Sequence, residues 1–382
     1  MDLENKISTK SIEEIFQNNS NKILPIFFEM QSTFLSGIYK RYGDLEGGQI
    51  VKLFILTQNE HLDFCANMDL ENKINKKSIE EIFENNSNKI LPIFFEMQST
   101  FLSGIYKRYG DLEGGQIVIY FARNLHLNVM RKREEDLSFD LSLEKFWFNH
   151  QNTLQDKQKI ISVSRFTGLP KETARRKIIH LTKQKHLKKT SKNNLYWEPS
   201  SQEKETYMEI IQEQIKSLSK FLYEQSKLLD INVPFLKFNK EIEKNYCFYW
   251  YHYLSTQLDF MKYWQKKTKD LEVLLIGLQS LIQSLNYFKR KKLDNSSALN
   301  NSDISATSVS EVTGIPRATC IRKLEWLSRA KLVKKDPRSK RYNLVNNEFD
   351  QDNLMDRPLT NAKGTVARFA EFSSIVYRAV LR

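Results

Sequence analysis

The sequence predicts a mainly α-helical fold built around two copies of one small module, each of two short helices and a β-hairpin, joined and flanked by long helices. Three observations predict it. Gly and Pro number only 12 and 8 in 382 residues, half or less of their usual shares of about 7% and 5%, so helix breaks are few. Residues 162–190 (SVSRFTGLPKETARRKIIHLTKQKHLKKT) recur without gaps as 308–336 (SVSEVTGIPRATCIRKLEWLSRAKLVKKD), identical at 13 of 29 positions. Outside these copies, apolar residues recur at helical spacing, as in 204–230 with Met208, Ile211, Ile215, Leu218, Leu222, Leu228 and Leu229.

Within the first copy, Ser162 suits the N-cap of a short helix over 163–167, ended by Gly168, where a left-handed backbone costs little. Pro170 suits the first position of a second helix running to about Lys185, because its missing N–H would be unpaired there. Ala174, Ile178 and Leu181 form one buried stripe, matched by Cys320, Leu324 and Leu327 in the second copy. Two helices joined by a three- to four-residue turn containing Gly make a helix-turn-helix. Strands at 187–189 and 195–197 around a polar turn, and at 332–335 and 341–345 around a tip at 336–340, add a hairpin wing to each. The predicted architecture is therefore mainly α, with two winged helix-turn-helix modules. The run SVS-x₂-TG-[LI]-P-x₂-T-x₂-RK-x₃-L resembles the winged helix of bacterial transcriptional regulators of the MarR and IclR families. The resemblance covers roughly residues 157–197 and 303–345, about a fifth of the chain, and implies DNA binding in transcription regulation.

Charge points the same way. Lys+Arg 59 against Asp+Glu 46 leaves +13. Residues 157–192 hold twelve Lys/Arg and one acid, net +11, and residues 303–345 hold ten against four, net +6, so the remainder sums to −4. Cations clustered in this way release counterions from phosphates. With the apolar stripes inward, Lys171, Glu172, Thr173, Arg175 and Arg176 of the first copy, and Arg317, Thr319 and Arg322 of the second, become candidates for base contacts. Arg176 is the candidate for a bidentate guanine contact, and Glu172 could accept from a cytosine. Lys177, Lys188, Lys189, Lys192, Lys323, Lys334, Lys335, Arg338, Lys340 and Arg341 are candidates for phosphate or wing contacts. Ile321 and Ala318 stand where Arg175 and Glu172 stand in the first copy, so an asymmetric target is expected.

Along the chain, residues 1–67 carry a near-exact duplicate, since 1–51 recur as 68–118 with only Ser8/Asn75, Thr9/Lys76 and Gln17/Glu84 different. A recent tandem duplication that carried a start codon, or an artefact of the gene boundary, fits this pattern. The working protein is expected to begin near Met68. A helical region over 68–150 follows, then the first winged helix (151–200), a helical middle region (201–298), the second winged helix (299–348) and a helical tail (349–382). Within that tail, 369–381 reads as a terminal helix. A fainter echo, Ser99-Thr100 before Asp111-Leu112-Glu113 and Ser255-Thr256 before Asp270-Leu271-Glu272, suggests that each half is helices followed by a module. Residues 295–308, rich in Asn and Ser, read as a flexible linker, and 110–115 as a turn or helix start. Residues 131–136 read as a salt-bridged surface of three bases and three acids. The aromatic run 246–253 reads as helix–helix core or subunit interface, with a ligand pocket as the alternative.

Only Cys65, Cys247 and Cys320 occur, never in a CxxC pair, and the six His lack metal-ligand spacing. No phosphate loop, dinucleotide fingerprint or HExxH is present. No enzyme activity, cofactor or metal is expected, and no small-molecule effector is assigned. The most apolar window, 271–288, is interrupted by Glu272 and several Gln, Ser and Asn, so no membrane span is expected. A cytoplasmic, nucleoid-associated protein follows, with double-stranded DNA as partner and the helical regions available for a homodimer. Transcription regulation is the leading reading. A plasmid-type replication initiator with two winged helices and a winged-helix adaptor for other proteins are the alternatives.

Overall fold

Helices dominate, as few breakers and long amphipathic runs require. The computed structural model describes residues 70–151, 153, 155–190, 194–197, 204–294, 303–344 and 351–381, and Glu71 onward forms one compact unit. The repeat at 1–67, Lys192 and residues 295–302 lie outside the described residues. The first helical region comprises α1 (Lys76–Asn85), α2 (Ser87–Tyr109), α3 (Leu112–Glu135) and α4 (Leu143–Gln151). Module one is α5 (Ile160–Thr167), α6 (Lys171–Lys183), β1 (Leu187–Lys189) and β2 (Leu195–Trp197). Then come α7 (Lys204–Leu228), α8 (Phe235–Lys244), α9 (Tyr246–Thr268) and α10 (Leu271–Asp294). Module two is α11 (Ala306–Thr313), α12 (Arg317–Arg329), β3 (Val333–Lys335) and β4 (Tyr342–Leu344), and α13 (Gln351–Val380) closes the chain. Among the described residues, no helix is long and apolar enough to cross a membrane.

The faint echo between the halves is structural. Helix α2 ends at Gly110 (φ 65°), and the Asp111 carboxylate then caps α3 by accepting from the Gly114 N–H at 2.8 Å. In the second half α9 ends at Lys269 (φ 60°), and Asp270 caps α10 by accepting from the Glu272 and Val273 N–H groups. The halves interlock, because α3 packs along α9 while α10 packs on α2. Phe94 of α2 ties the body together. Its fully buried ring lies 5.6 Å from Phe83 of α1, 5.8 Å from Phe221 of α7, 6.2 Å from Phe260 of α9 and 5.0 Å from Phe369 of α13. Emptying such a site costs about 3–5 kcal/mol.

The run 246–253 belongs to the core, with Tyr246, Cys247, Tyr249, Trp250 and Tyr253 buried. The linker ends earlier than its composition suggests. Ile304 exchanges two backbone hydrogen bonds with Tyr342 (2.9 and 2.8 Å), so residues 303–308 already belong to module two. Within 131–136, Arg131 and Arg133 reach partners outside the run. Arg131 pairs with Asp156 at 3.6 Å, Arg133 donates to the Phe139 carbonyl, and Asp136 accepts from Ser138 in a local turn.

His126 of α3 is fully buried, stacked on Phe146 at 4.7 Å with neither ring nitrogen hydrogen-bonded. Burial, reinforced by neighbouring His150, drives its pKa down to about 3. The unfolded chain therefore takes up a proton below pH 6.5 that the folded chain refuses, and stability falls as pH drops from there toward 3. The slope from this group is about 1.4 kcal/mol per pH unit. Denaturant unfolding at pH 7 and pH 5 should show a smaller loss for His126→Phe than for the unaltered chain. An equal loss would place the acid sensitivity elsewhere.

Candidate nucleic-acid interface

Both modules are built by the same local chemistry. Thr167 and Thr313 each donate a hydroxyl back to the Val163 or Val309 carbonyl (2.8 and 2.7 Å). Gly168 (φ 79°) and Gly314 (φ 78°) then take the left-handed turn that leads into the second helix. In each module the hairpin pairs antiparallel, Leu187 with Trp197 and Val333 with Leu344. A preceding residue adds a single bridge, Gln158 to Leu195 and Ile304 to Tyr342.

The caps differ from the sequence expectation. Helix α5 starts at Ile160, which puts Ser162 inside the first turn. In module two the cap is Ser305, in a reciprocal capping box with Ser308. Pro170 and Pro316 (ψ 140° and 137°) are N-caps, not first helical residues. Helix α6 stops at Lys183, two residues before the expected end, because Lys185 (φ 63°) turns left-handed and His186 donates to the Leu181 carbonyl. Lys331 (φ 58°) and Leu332 repeat this closure at the end of α12. The usual Gly signal is absent at both sites.

The buried stripes lie as expected, Ala174, Ile178 and Leu181 on α6 and Cys320, Leu324 and Leu327 on α12. Opposite them Lys171, Glu172, Arg175 and Arg176 are exposed and Thr173 is half-buried. Arg175 grips Glu172 through two hydrogen bonds of 2.9 and 2.7 Å, and this contact holds the Glu172 carboxyl below its usual pKa. Each Glu172 oxygen keeps a second acceptor site beside the Arg175 bond. On α12, Arg317 and Arg322 are exposed and Thr319 is half-buried. The Arg317 Nε donates to Thr307 Oγ1 at 3.0 Å. Lys188, Lys189, Lys334, Arg338, Lys340 and Arg341 are exposed on the wings. Lys335 leans over the Tyr342 ring and lies 3.5 Å from Glu325.

Lys177 and Lys323 are the clear correction. Both sequence-predicted phosphate contacts turn inward. Lys177 Nζ lies 2.6 Å from Asp111 Oδ2 and 3.4 Å from Glu113 Oε2. Lys323 Nζ pairs with Asp270 and lies 3.6 Å from Glu272. The lysine side chains are only 28% and 15% exposed. Burial opposes the charge on Lys177, yet the two carboxylates outweigh it and raise its pKa. For Glu272 burial wins, and its pKa rises despite Lys323. The second helix of each module is thus braced against the N-terminus of the long helix before its own module, α6 on α3 and α12 on α10. The signal in the sequence was the Asp-Leu-Glu triplet repeated upstream of each Arg-Lys pair.

The turn glycines meet the opposite half. An added side-chain carbon at Gly168 would lie 3.4 Å from the Lys262 stem on α9, and one at Gly314 would lie 2.9 Å from the Lys107 stem on α2. Behind module one, a cavity of about 40 Å³ between Arg108, Trp197, Tyr207, Gln214 and Trp250 has room for one or two waters and none for a cofactor. Among the described residues, no cluster of three His, Cys, Asp or Glu could hold a metal ion. Compared with protein-family models, curated proteins and solved structures, the chain matches none.

Removing a brace should cost stability. Lys323→Ala leaves two carboxylates facing each other, and chemical denaturation should show a loss of about 1–3 kcal/mol. The exposed Lys183→Ala should stay within about 0.5 kcal/mol of the unaltered protein. Equal effects would make the brace energetically idle.

Proposed function

We propose that the protein binds double-stranded DNA in a sequence-specific manner through α6 and α12, acting as a transcriptional regulator. One observation carries this reading. In both modules the cations split in the same way, one lysine turned inward as a brace and others left exposed toward the helix N-terminal half, Lys171, Arg175 and Arg176 on α6 and Arg317 and Arg322 on α12. A solvated basic surface has no need of that division. A recognition helix inserted into the major groove does, because its orientation decides which base edges it reaches. The wing cations then supply phosphate contacts that fix register. Two modules in one chain do covalently what a two-fold dimer does with half-sites about one helical turn apart. A plasmid-type replication initiator would use the same surface, and occupancy of repeated sites at an origin separates it from a regulator.

Module two also supports a second reading, as a docking surface for another protein. Val312, Trp326 and Leu332 are 51%, 45% and 53% exposed there, and exposed apolar groups of this kind mark interaction sites when they are contiguous.

Fluorescence anisotropy with a labelled duplex tests the proposal. Affinity should fall steeply between low and moderate salt, as phosphate neutralisation requires. On a selected site Arg176→Ala should cost about 1–3 kcal/mol and relax one base position. A uniform loss on all sequences would demote Arg176 to a phosphate contact, and no duplex binding at low salt would leave the docking reading.

A further inference from the structure

Each module's turn carries a lysine from the other half of the chain. Lys262 of α9 lays its stem along Gly168 of module one. Its γ, δ and ε carbons lie 3.4, 3.7 and 3.4 Å from where a Gly168 side-chain carbon would stand. Lys107 of α2 covers Gly314 of module two, its γ carbon 2.9 Å from the corresponding point. Both glycines are exposed, as is Lys107, and Lys262 is half-buried. Among the described residues, neither ammonium group has an ion-pair or hydrogen-bond partner. A lysine stem packed on a surface in this way leaves its charged head to water or to a ligand.

The helices that carry these lysines are fixed where they meet the modules. On one side of Lys262, Ser255 Oγ accepts from Arg123 Nε at 2.7 Å, and the same guanidinium lies 4.9 Å over the Phe166 ring of α5. On the other side, Gln265 donates to Glu113, a carboxylate of the Lys177 brace, at 3.4 Å. Lys107 lies on α2 where α11 packs against it.

We propose that Lys262 and Lys107 contact duplex phosphates at the two turns, so that each half-site is gripped by both halves of the chain. The inference rests on the DNA-binding reading. When the N-terminal residues of α6 and α12 enter the major groove and the first helix of each module crosses the backbone, the turn between them lies beside the strand at the edge of the groove. A lysine there meets phosphate and carries no base preference. Both residues fall outside the basic runs 157–192 and 303–345, and the crossing makes the module-one half-site depend on α9 and the module-two half-site on α2.

Lys262→Met and Lys107→Met in the full chain test this, because each keeps an unbranched stem over the glycine and removes the charge. Anisotropy over a salt series should show each variant lowering the slope of log affinity against log salt by about 0.9, with the same fold-loss on a selected site and on random duplex. Lys262→Arg should keep the slope of the unaltered chain. Ethylation interference on the selected site assigns each contact. Lys262→Met should lose sensitivity at phosphates bordering the half-site that Arg176→Ala weakens, and Lys107→Met at those bordering the half-site that Arg322→Ala weakens. Unchanged slopes in a chain that binds duplex overturn this proposal and leave DNA binding standing. Sensitivity lost at the opposite half-sites, or at both alike, overturns it as well. Absence of salt-dependent duplex binding by the unaltered chain overturns the proposal together with the reading beneath it.

Discussion

One ion-paired contact, made twice, sets the geometry of this protein. A lysine in the middle of each module's second helix is held by an Asp and a Glu at the start of a long helix. Lys177 meets Asp111 and Glu113, and Lys323 meets Asp270 and Glu272. The carboxylates are themselves placed by the cap, since Asp111 and Asp270 accept backbone N–H groups of the helices they open. Negative charge is favourable at a helix N-terminus, so one cluster ends a turn, starts a helix and anchors a module. A surface pair of this kind would contribute little. Here partial burial and two acceptors per lysine make the contact directional.

Because α3 packs on α9 and α10 on α2, the two braces belong to one interlocked body. The exposed faces of α6 and α12 are positioned by the same core, with Phe94 near its centre. Duplication has left the framework alike in both halves and let the faces drift. Arg175 and His180 of α6 correspond to Ile321 and Trp326 of α12. Under the proposed function, module one is the more electrostatic reader and module two has the more apolar face.

Local chemistry was legible in the sequence, and distant pairing was not. The Thr-Gly-x-Pro turn, the three-residue apolar stripes and the strands around polar tips are each specified within about ten residues, and the structure has them where the pattern put them. The start of α5 slipped because Ser162 resembles a cap, while the helix begins at Ile160 after Lys159, which makes no side-chain cap hydrogen bond. The left-handed closures at Lys185 and Lys331 carry no Gly and so gave no signal. The braces have no local signature at all. On a basic helix, Lys177 differs from Arg176 only by which side of the cylinder it faces, and the partner that decides its role lies 66 residues away at Asp111. Periodicity shows where a side chain points, not which charge waits there.

The central claim is that two similarly braced helices on one body face the same duplex. Hydroxyl-radical footprinting on a fragment selected from random DNA measures this most directly. The account predicts two protected patches on one side of the duplex, about ten base pairs apart, with Arg176→Ala weakening one patch and Arg322→Ala the other. A single patch touched by both substitutions, or unbroken cleavage along the fragment, would contradict it.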